Sequence, residues 1–134
     1  TMVPLPRYTS VNGIPVTELL PVDKLDAIVE RTKKGGGELV NLMGTSAWLA
    51  PAAAVMDMVE SIVRNQNRIL PVCAYLDGEY GMKDIYLGVP VVLGENGIEK
   101  IIEVDLNADE TKLLTDSAAA VKEVMNVLDQ MAII

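Results

Sequence analysis

Between Leu39 and Met56 the chain runs through 18 consecutive residues without one charged side chain. No other feature limits the fold as strongly. A stretch this apolar has to be hidden from water by a membrane, a core or a partner. It is close to the shortest helix that spans a bilayer, but its interior argues against one. Asn41, the run Gly44-Thr45-Ser46 and Pro51 would break a lipid-exposed helix. The preferred reading is two buried helix ends joined by a tight turn, with no membrane partner.

Length and composition narrow the rest. A chain of 134 residues is expected to form one domain over 1–134. Half of its residues are apolar and 22% are charged, which excludes disorder. The net charge of -8 argues against nucleic-acid or anionic-membrane partners. Histidine is absent and Cys73 is the only cysteine. No histidine-dependent triad, zinc finger or internal disulfide can therefore form, and no metal site is expected. Cys73 sits in an apolar run and is expected to be an inert core residue. With no phenylalanine, Leu, Ile, Val, Ala and Met must fill the core. The chain starts Thr-Met-Val-Pro, with neither the basic nor the apolar region of a signal peptide. It is expected to be a piece of something longer, with apolar surface meant to be covered.

Patterning predicts an α+β order. Residues 1–16, with Pro4, Pro6, Gly13 and Pro15, read as an extended edge segment. Residues 16–43 are helical by period, through Leu25, Ile28 and Val29, with Asp23 as a cap. Gly35-Gly36-Gly37 is expected to interrupt this helix, by a kink or for a close backbone approach. A helix over 48–65 follows. Its face of Ala52, Val55, Val59, Ile62 and Val63 is expected to be buried, and its first half, Trp48 to Val55, to be buried all round. Strands are predicted at 69–75, 85–87, 89–93 and 98–104, with turns at 78–81 and at Asn96-Gly97. Asn107-Ala108-Asp109-Glu110 is a capping signal for a terminal helix. Helices and strands fall in runs, so α+β is favoured over alternating βαβ units.

Isolated motifs carry little. Lys34-Gly35-Gly36-Gly37 lacks the ending of a phosphate loop and follows no strand. Gly44-Thr45-Ser46 precedes a helix, so it presents either amides to an anion or a Ser46 cap. Asp77, Glu79 and Asp84 flank a glycine turn without the order of a calcium loop.

The ordered set says more. Thr1-Met2-Val3-Pro4-Leu5 resembles the piece after the catalytic Gly-x-His-Gly-Asp of lactate-dehydrogenase-like malate dehydrogenases. Residues 26–38, from Asp26 through Gly35-Gly36-Gly37 to Glu38, resemble that family's kinked helix pair. Ser46-Ala47-Trp48-Leu49-Ala50-Pro51-Ala52 resembles its Ser-Ala-aromatic-x-Ala-Pro-Ala helix start. Leu70-Pro71, Tyr80-Gly81, Gly88-Val89-Pro90 and Leu93-Gly94 resemble its final sheet. The resemblance covers essentially the whole chain, and departs from many relatives at Gly44-Thr45-Ser46, where they have Gly-Ser.

This resemblance implies the substrate-side, C-terminal domain of a bacterial malate dehydrogenase. The activity implied is reversible oxidation of (S)-malate to oxaloacetate with NAD, in the cytoplasm and the tricarboxylic acid cycle. The implied partners are malate or oxaloacetate, an N-terminal cofactor domain absent here, and further copies in a homodimer or homotetramer. The catalytic histidine would precede Thr1, so the chain holds no catalytic residue and is expected to be inactive alone. Ser46 and Ala47 would contact substrate, Ala47 leaving space for a C4 dicarboxylate, and Pro51 would lie near the nicotinamide. Each of the three is equally well read as part of a packed helix start. The alternatives are a dehydrogenase for lactate or another 2-hydroxy acid, and a non-catalytic binding or oligomerisation domain. A Gly-x-His-Gly-Asp encoded upstream would favour an enzyme over the last of these.

Overall fold

The computed structural model describes residues 2–131; Thr1, which opens the first family-like motif, and the last three residues of the predicted domain lie outside them. These residues divide into two compact units, 2–51 and 52–131.

The first unit starts with a 3-10 turn, Pro6–Tyr8, and two short antiparallel strands, β1 (Ser10–Val11) and β2 (Ile14–Pro15). Asn12 at φ 50 and Gly13 at φ 85 join the strands. Both lie in the left-handed region, as a two-residue hairpin turn requires. The extended edge segment is therefore a small hairpin. One helical turn, α1 (Val16–Leu19), follows. The chain then extends at Leu20 and Pro21 and enters α2 (Val22–Met43). The helix predicted from residue 16 is thus broken, because Pro21 lacks an N–H and disfavours helical backbone before it. Pro21 also occupies the cap position, so Asp23 lies in the first turn instead of capping it.

α2 runs unbroken through Gly35-Gly36-Gly37, contrary to the expected interruption. No close approach explains these glycines either, since a Cβ at each would meet nothing within 4 Å. An exposed ion pair spans them. Arg31 donates from Nε to Glu38 Oε2 at 3.0 Å and from its terminal nitrogen to Oε1 at 2.8 Å, two turns apart.

The second unit is a three-stranded antiparallel sheet with helices. α3 (Leu49–Val63) leads into it, followed by β3 (Arg68–Asp77), β4 (Lys83–Gly94), β5 (Gly97–Ile101) and α4 (Ala108–Gln130). The sheet order is β3-β4-β5. The two strands predicted at 85–87 and 89–93 are one, β4, which passes through Gly88 and Pro90. Val72, Ala74 and Leu76 of β3 and Ile85, Leu87, Val89, Val91 and Leu93 of β4 point to the buried face. Leu114 and Ala118 of α4 complete the buried apolar set. Cys73 has the opposite parity on β3 and is exposed, not a core residue. α4 begins as predicted: Asn107 accepts from the Glu110 N–H at 2.9 Å, and Glu110 accepts from the Asn107 N–H at 2.9 Å.

Two side chains tie the loops to the sheet. The Tyr80 hydroxyl donates to the Ile102 carbonyl at 2.7 Å and accepts from the Val104 N–H at 3.1 Å, fixing the chain after β5. Ser61 of α3 is fully buried. Its hydroxyl donates to the Leu93 carbonyl at 2.6 Å and accepts from the Arg68 N–H at 3.3 Å.

The inward side of α3 thus centres on Ser61, flanked by Met58 and Ile62, which are half-buried. Of the face predicted to be buried, Ala52, Val55, Val59 and Val63 are exposed. The start of the helix is also open to solvent, with Trp48 72% and Leu49 86% exposed. The helix is apolar on more than one side, and periodicity cannot choose which side meets its own core. Among the described residues no helix is long and apolar enough to cross a membrane.

Replacing Ser61 by alanine leaves the Leu93 carbonyl and the Arg68 N–H without this partner. We expect a loss of about 1–3 kcal/mol, the usual cost of orphaned buried polar groups. Urea unfolding of the variant against the parent measures it.

Candidate functional site

α2 ends at Met43 because Gly44 turns left-handed, at φ 70, and returns its N–H to the Val40 carbonyl at 2.9 Å. The loop 45–48 then leads to α3, which starts at Leu49. Ser46 and Pro51 are exposed and Ala47 is half-buried. Pro51 fits the first turn of α3, where no N–H is needed. Trp48, not Ser46, directly precedes the helix. Ser46 therefore lies two residues before the position that flanks the helix. Ser46, Ala47 and Pro51 share one short segment of the first unit.

The chemistry open to this segment follows from what it contains. Residues 39–56 have no ionisable group, so the segment has no acid or base to move a proton at neutral pH. It offers hydroxyls, backbone amides and apolar surface. Such a wall shapes a ligand and sets its size without reacting with it.

The same unit has an apolar groove of about 450 Å³ that the sequence reading did not anticipate. Met2 to Pro6 form one wall and Leu25, Ile28 and Val29 of α2 another, with Val16 and Leu20 between them. The periodicity of Leu25, Ile28 and Val29 was visible, but not that a proline-rich segment would lie against them.

Charged groups cluster elsewhere. Hydrogen bonding to Arg31, then its charge, holds the Glu38 carboxyl below the usual range. Lys33 does the same to Glu30, at 2.9 Å. These are exposed pairs on α2 that contribute little to stability. The three acidic residues of the glycine turn are also engaged. Asp77 pairs with Lys83 at 3.1 Å, Glu79 accepts from the Asp77 N–H at 2.8 Å, and Asp84 accepts from the Tyr75 hydroxyl at 2.7 Å.

Residues 1–131 match the lactate/malate dehydrogenase, alpha/beta C-terminal domain. Among curated relatives, malate dehydrogenase of Cytophaga hutchinsonii is 68% identical over 129 residues, which is 96% of this chain and 41% of that protein. Malate dehydrogenase of Geobacillus thermodenitrificans is 60% identical over 129 residues, again 96% of this chain and 41% of that protein. The chain thus spans about two fifths of the length of these relatives. Among solved structures, malate dehydrogenase from Salinibacter ruber aligns with a TM-score of 0.94 at 54% identity, over 96% of this chain and 42% of that one. Lactate dehydrogenase from Eimeria maxima, solved with NADH and oxamate, aligns at 0.87 and 37% identity, over 98% of this chain and 44% of that one.

One titration tests the local electrostatics. The hydrogen bond to Asp84, helped by desolvation and by the Asp84 charge, pushes the Tyr75 phenol up to about 12. A raised phenol pKa means this contact stabilises the fold fully below the ordinary value of 10.0 and loses that effect as pH rises toward about 12. Tyrosinate absorbance during alkaline titration should show the Tyr75 phenol ionising late. Asp84→Gly, which suits the residue's φ of 54, should return it toward the ordinary value.

Proposed function

The chain belongs to the lactate/malate dehydrogenase C-terminal domain family, and from that premise we propose that it is the substrate-side domain of an NAD-dependent malate dehydrogenase. The intact enzyme would interconvert (S)-malate and oxaloacetate, as an oxidoreductase of the cytoplasm and the tricarboxylic acid cycle. The observation that carries this reading is the 68% identity to a malate dehydrogenase along 96% of the chain. The domain is proposed to extend over 1–134, with the cofactor domain contributed by sequence outside it.

The loop supports a division of labour. Residues 39–56 provide no proton donor or acceptor at neutral pH, so the acid–base group must come from elsewhere, in keeping with a histidine upstream of Thr1. Binding two carboxylates needs cations, and this loop has none. NAD, when bound, supplies the hydride acceptor. The sheets of this chain are antiparallel, so among the described residues there is no parallel βαβ turn to cradle a pyrophosphate. An apolar edge that includes Pro51 would border the nicotinamide and exclude water beside it. Ser46 is assigned a hydrogen bond to substrate, and Ala47 the wall that sets its size.

The exposed apolar side of α3 supports a contact with a further copy of the protein, in a homodimer or homotetramer. The lactate dehydrogenase match at 37% identity keeps a different 2-hydroxy acid as the second reading. A non-catalytic role remains the third reading.

The decisive assay follows NADH oxidation with oxaloacetate. The chain alone should give no rate above a blank, and the same chain joined to an N-terminal cofactor domain of a malate dehydrogenase relative should give one. Turnover by the isolated chain would overturn the division of labour. No turnover by a folded, NADH-binding joined protein would favour the non-catalytic reading.

Ala47→Thr in the joined protein tests the pocket wall. It should lower kcat/KM for oxaloacetate relative to pyruvate by about 10–200-fold, the usual reach of discrimination by pocket size. An unchanged ratio of the two constants would remove Ala47 from the pocket.

A further inference from the structure

The sequence contains two Asn-Gly steps, Asn12-Gly13 and Asn96-Gly97, and the structure places them in very different surroundings. Asparagine before glycine is chemically labile because no Cβ screens the glycine nitrogen from the asparagine side chain. We propose that Asn12 is a site of spontaneous deamidation, and that Glu99 protects the equivalent step at Asn96.

The reaction needs only water. The Gly13 amide nitrogen loses its proton to solvent and attacks Asn12 Cγ. The new N–C bond closes a succinimide, the Cγ–Nδ2 bond breaks, and ammonia leaves. Water then opens the ring at either carbonyl, giving aspartate or isoaspartate at position 12. Either product adds one negative charge.

Three observations favour Asn12. First, Asn12 and Gly13 are both exposed, whereas Gly97 is half-buried, so solvent reaches the Asn12-Gly13 step more freely. Second, among the described residues no hydrogen bond holds the Asn12 side chain. Third, the turn is closed by two residue pairs, Ser10↔Pro15 and Val11↔Ile14, and one further bond from the Val16 N–H to the Thr9 carbonyl, and Pro15 has no N–H to give the ladder. The left-handed turn holds the Gly13 nitrogen away from Cγ, so reaction requires the turn to open. Opening so short a hairpin costs little.

Asn96 is held at several points. Its side-chain nitrogen lies 3.1 Å from Glu99 Oε1, and its backbone N–H donates to the same oxygen at 2.9 Å. The turn joins β4 to β5, paired at Val91↔Ile101, Val92↔Lys100, Leu93↔Ile98 and Gly94↔Gly97. Gly94 is buried, and a Cβ there would collide with Asn67 Oδ1 at 2.5 Å. The Glu99 carboxylate also disfavours a second negative charge, and the attacking glycine nitrogen has to become anionic.

Modification at Asn12 has a structural consequence. Isoaspartate adds one methylene to the backbone of a two-residue turn, which no longer matches the strand register. The hairpin returns Val16 to Thr9, through the Val16 N–H and the Thr9 carbonyl at 2.9 Å, and both residues line the apolar groove. Loss of the turn therefore loosens that wall.

The test is a peptide map of the intact chain aged at mildly alkaline pH and body temperature. Trypsin releases the two steps separately, in the peptides Tyr8–Lys24 and Asp84–Lys100. In the folded protein the first should gain one mass unit several times faster than the second, and an isoaspartyl methyltransferase should label it. In strong denaturant the two rates should converge. Glu99→Gln should speed modification at Asn96 and leave Asn12 unchanged. Equal native rates, a faster Asn96, or a difference that persists in denaturant would overturn the proposal. An unaltered Asn96 rate in folded Glu99→Gln would overturn the protective role of Glu99.

Discussion

Residue parity along β3 and β4 is the constraint on which the sheet unit depends. The inward positions are all even on β3, at Val72, Ala74 and Leu76, and all odd on β4, from Ile85 to Leu93. The two sets come into register through pairs such as Ala74↔Leu87 and Val72↔Val89. A slip of one residue in either strand would turn its aliphatic side chains to water. The outward parity carries Cys73, Tyr75, Tyr86 and Gly88, which fill no core position. With no phenylalanine available, register and close packing of small aliphatic groups must do the work that large rings do in other cores. Ser61 and Tyr80 then bring α3 and the chain after β5 to backbone groups at the edge of this arrangement.

The parts legible in the sequence were those with a local cause. Asn107 and Glu110 cap one another across three residues, so the start of α4 needed no tertiary information. β3 was visible as a short apolar run ahead of the turn at Gly78. The triple glycine misled, because its propensity cost is local and does not by itself break a helix of 22 residues. Gly88 and Pro90 misled in the same way, since pairing along the whole of β4 overrides two weak positions. At the candidate site, the resemblance singled out Ser46, Ala47 and Pro51, and no spacing or charge pattern would have done so. A loop that works by shape has no ionisable signature to read. The placement of the groove was hidden too, because it depends on the fold-back at Asn12-Gly13.

The exposed side of α3 links the fold to the proposed function. One side of the helix is engaged through Ser61, Met58 and Ile62, and another shows Leu49, Val55, Met56, Val59 and Val63 to solvent. Fully covering a side chain of this size is worth about 1.5–3 kcal/mol, so the set represents on the order of 10 kcal/mol of gross burial. That is comparable to the whole net stability of an ordinary domain. A chain with that much burial still unrealised gains stability in proportion to what covers it. Covering by sequence outside this chain or by a second copy would thus act on the same helix that has Pro51 in its first turn. Under the proposed function, assembly and the shape of the candidate site would then be coupled through α3, with no charged group needed to carry the effect.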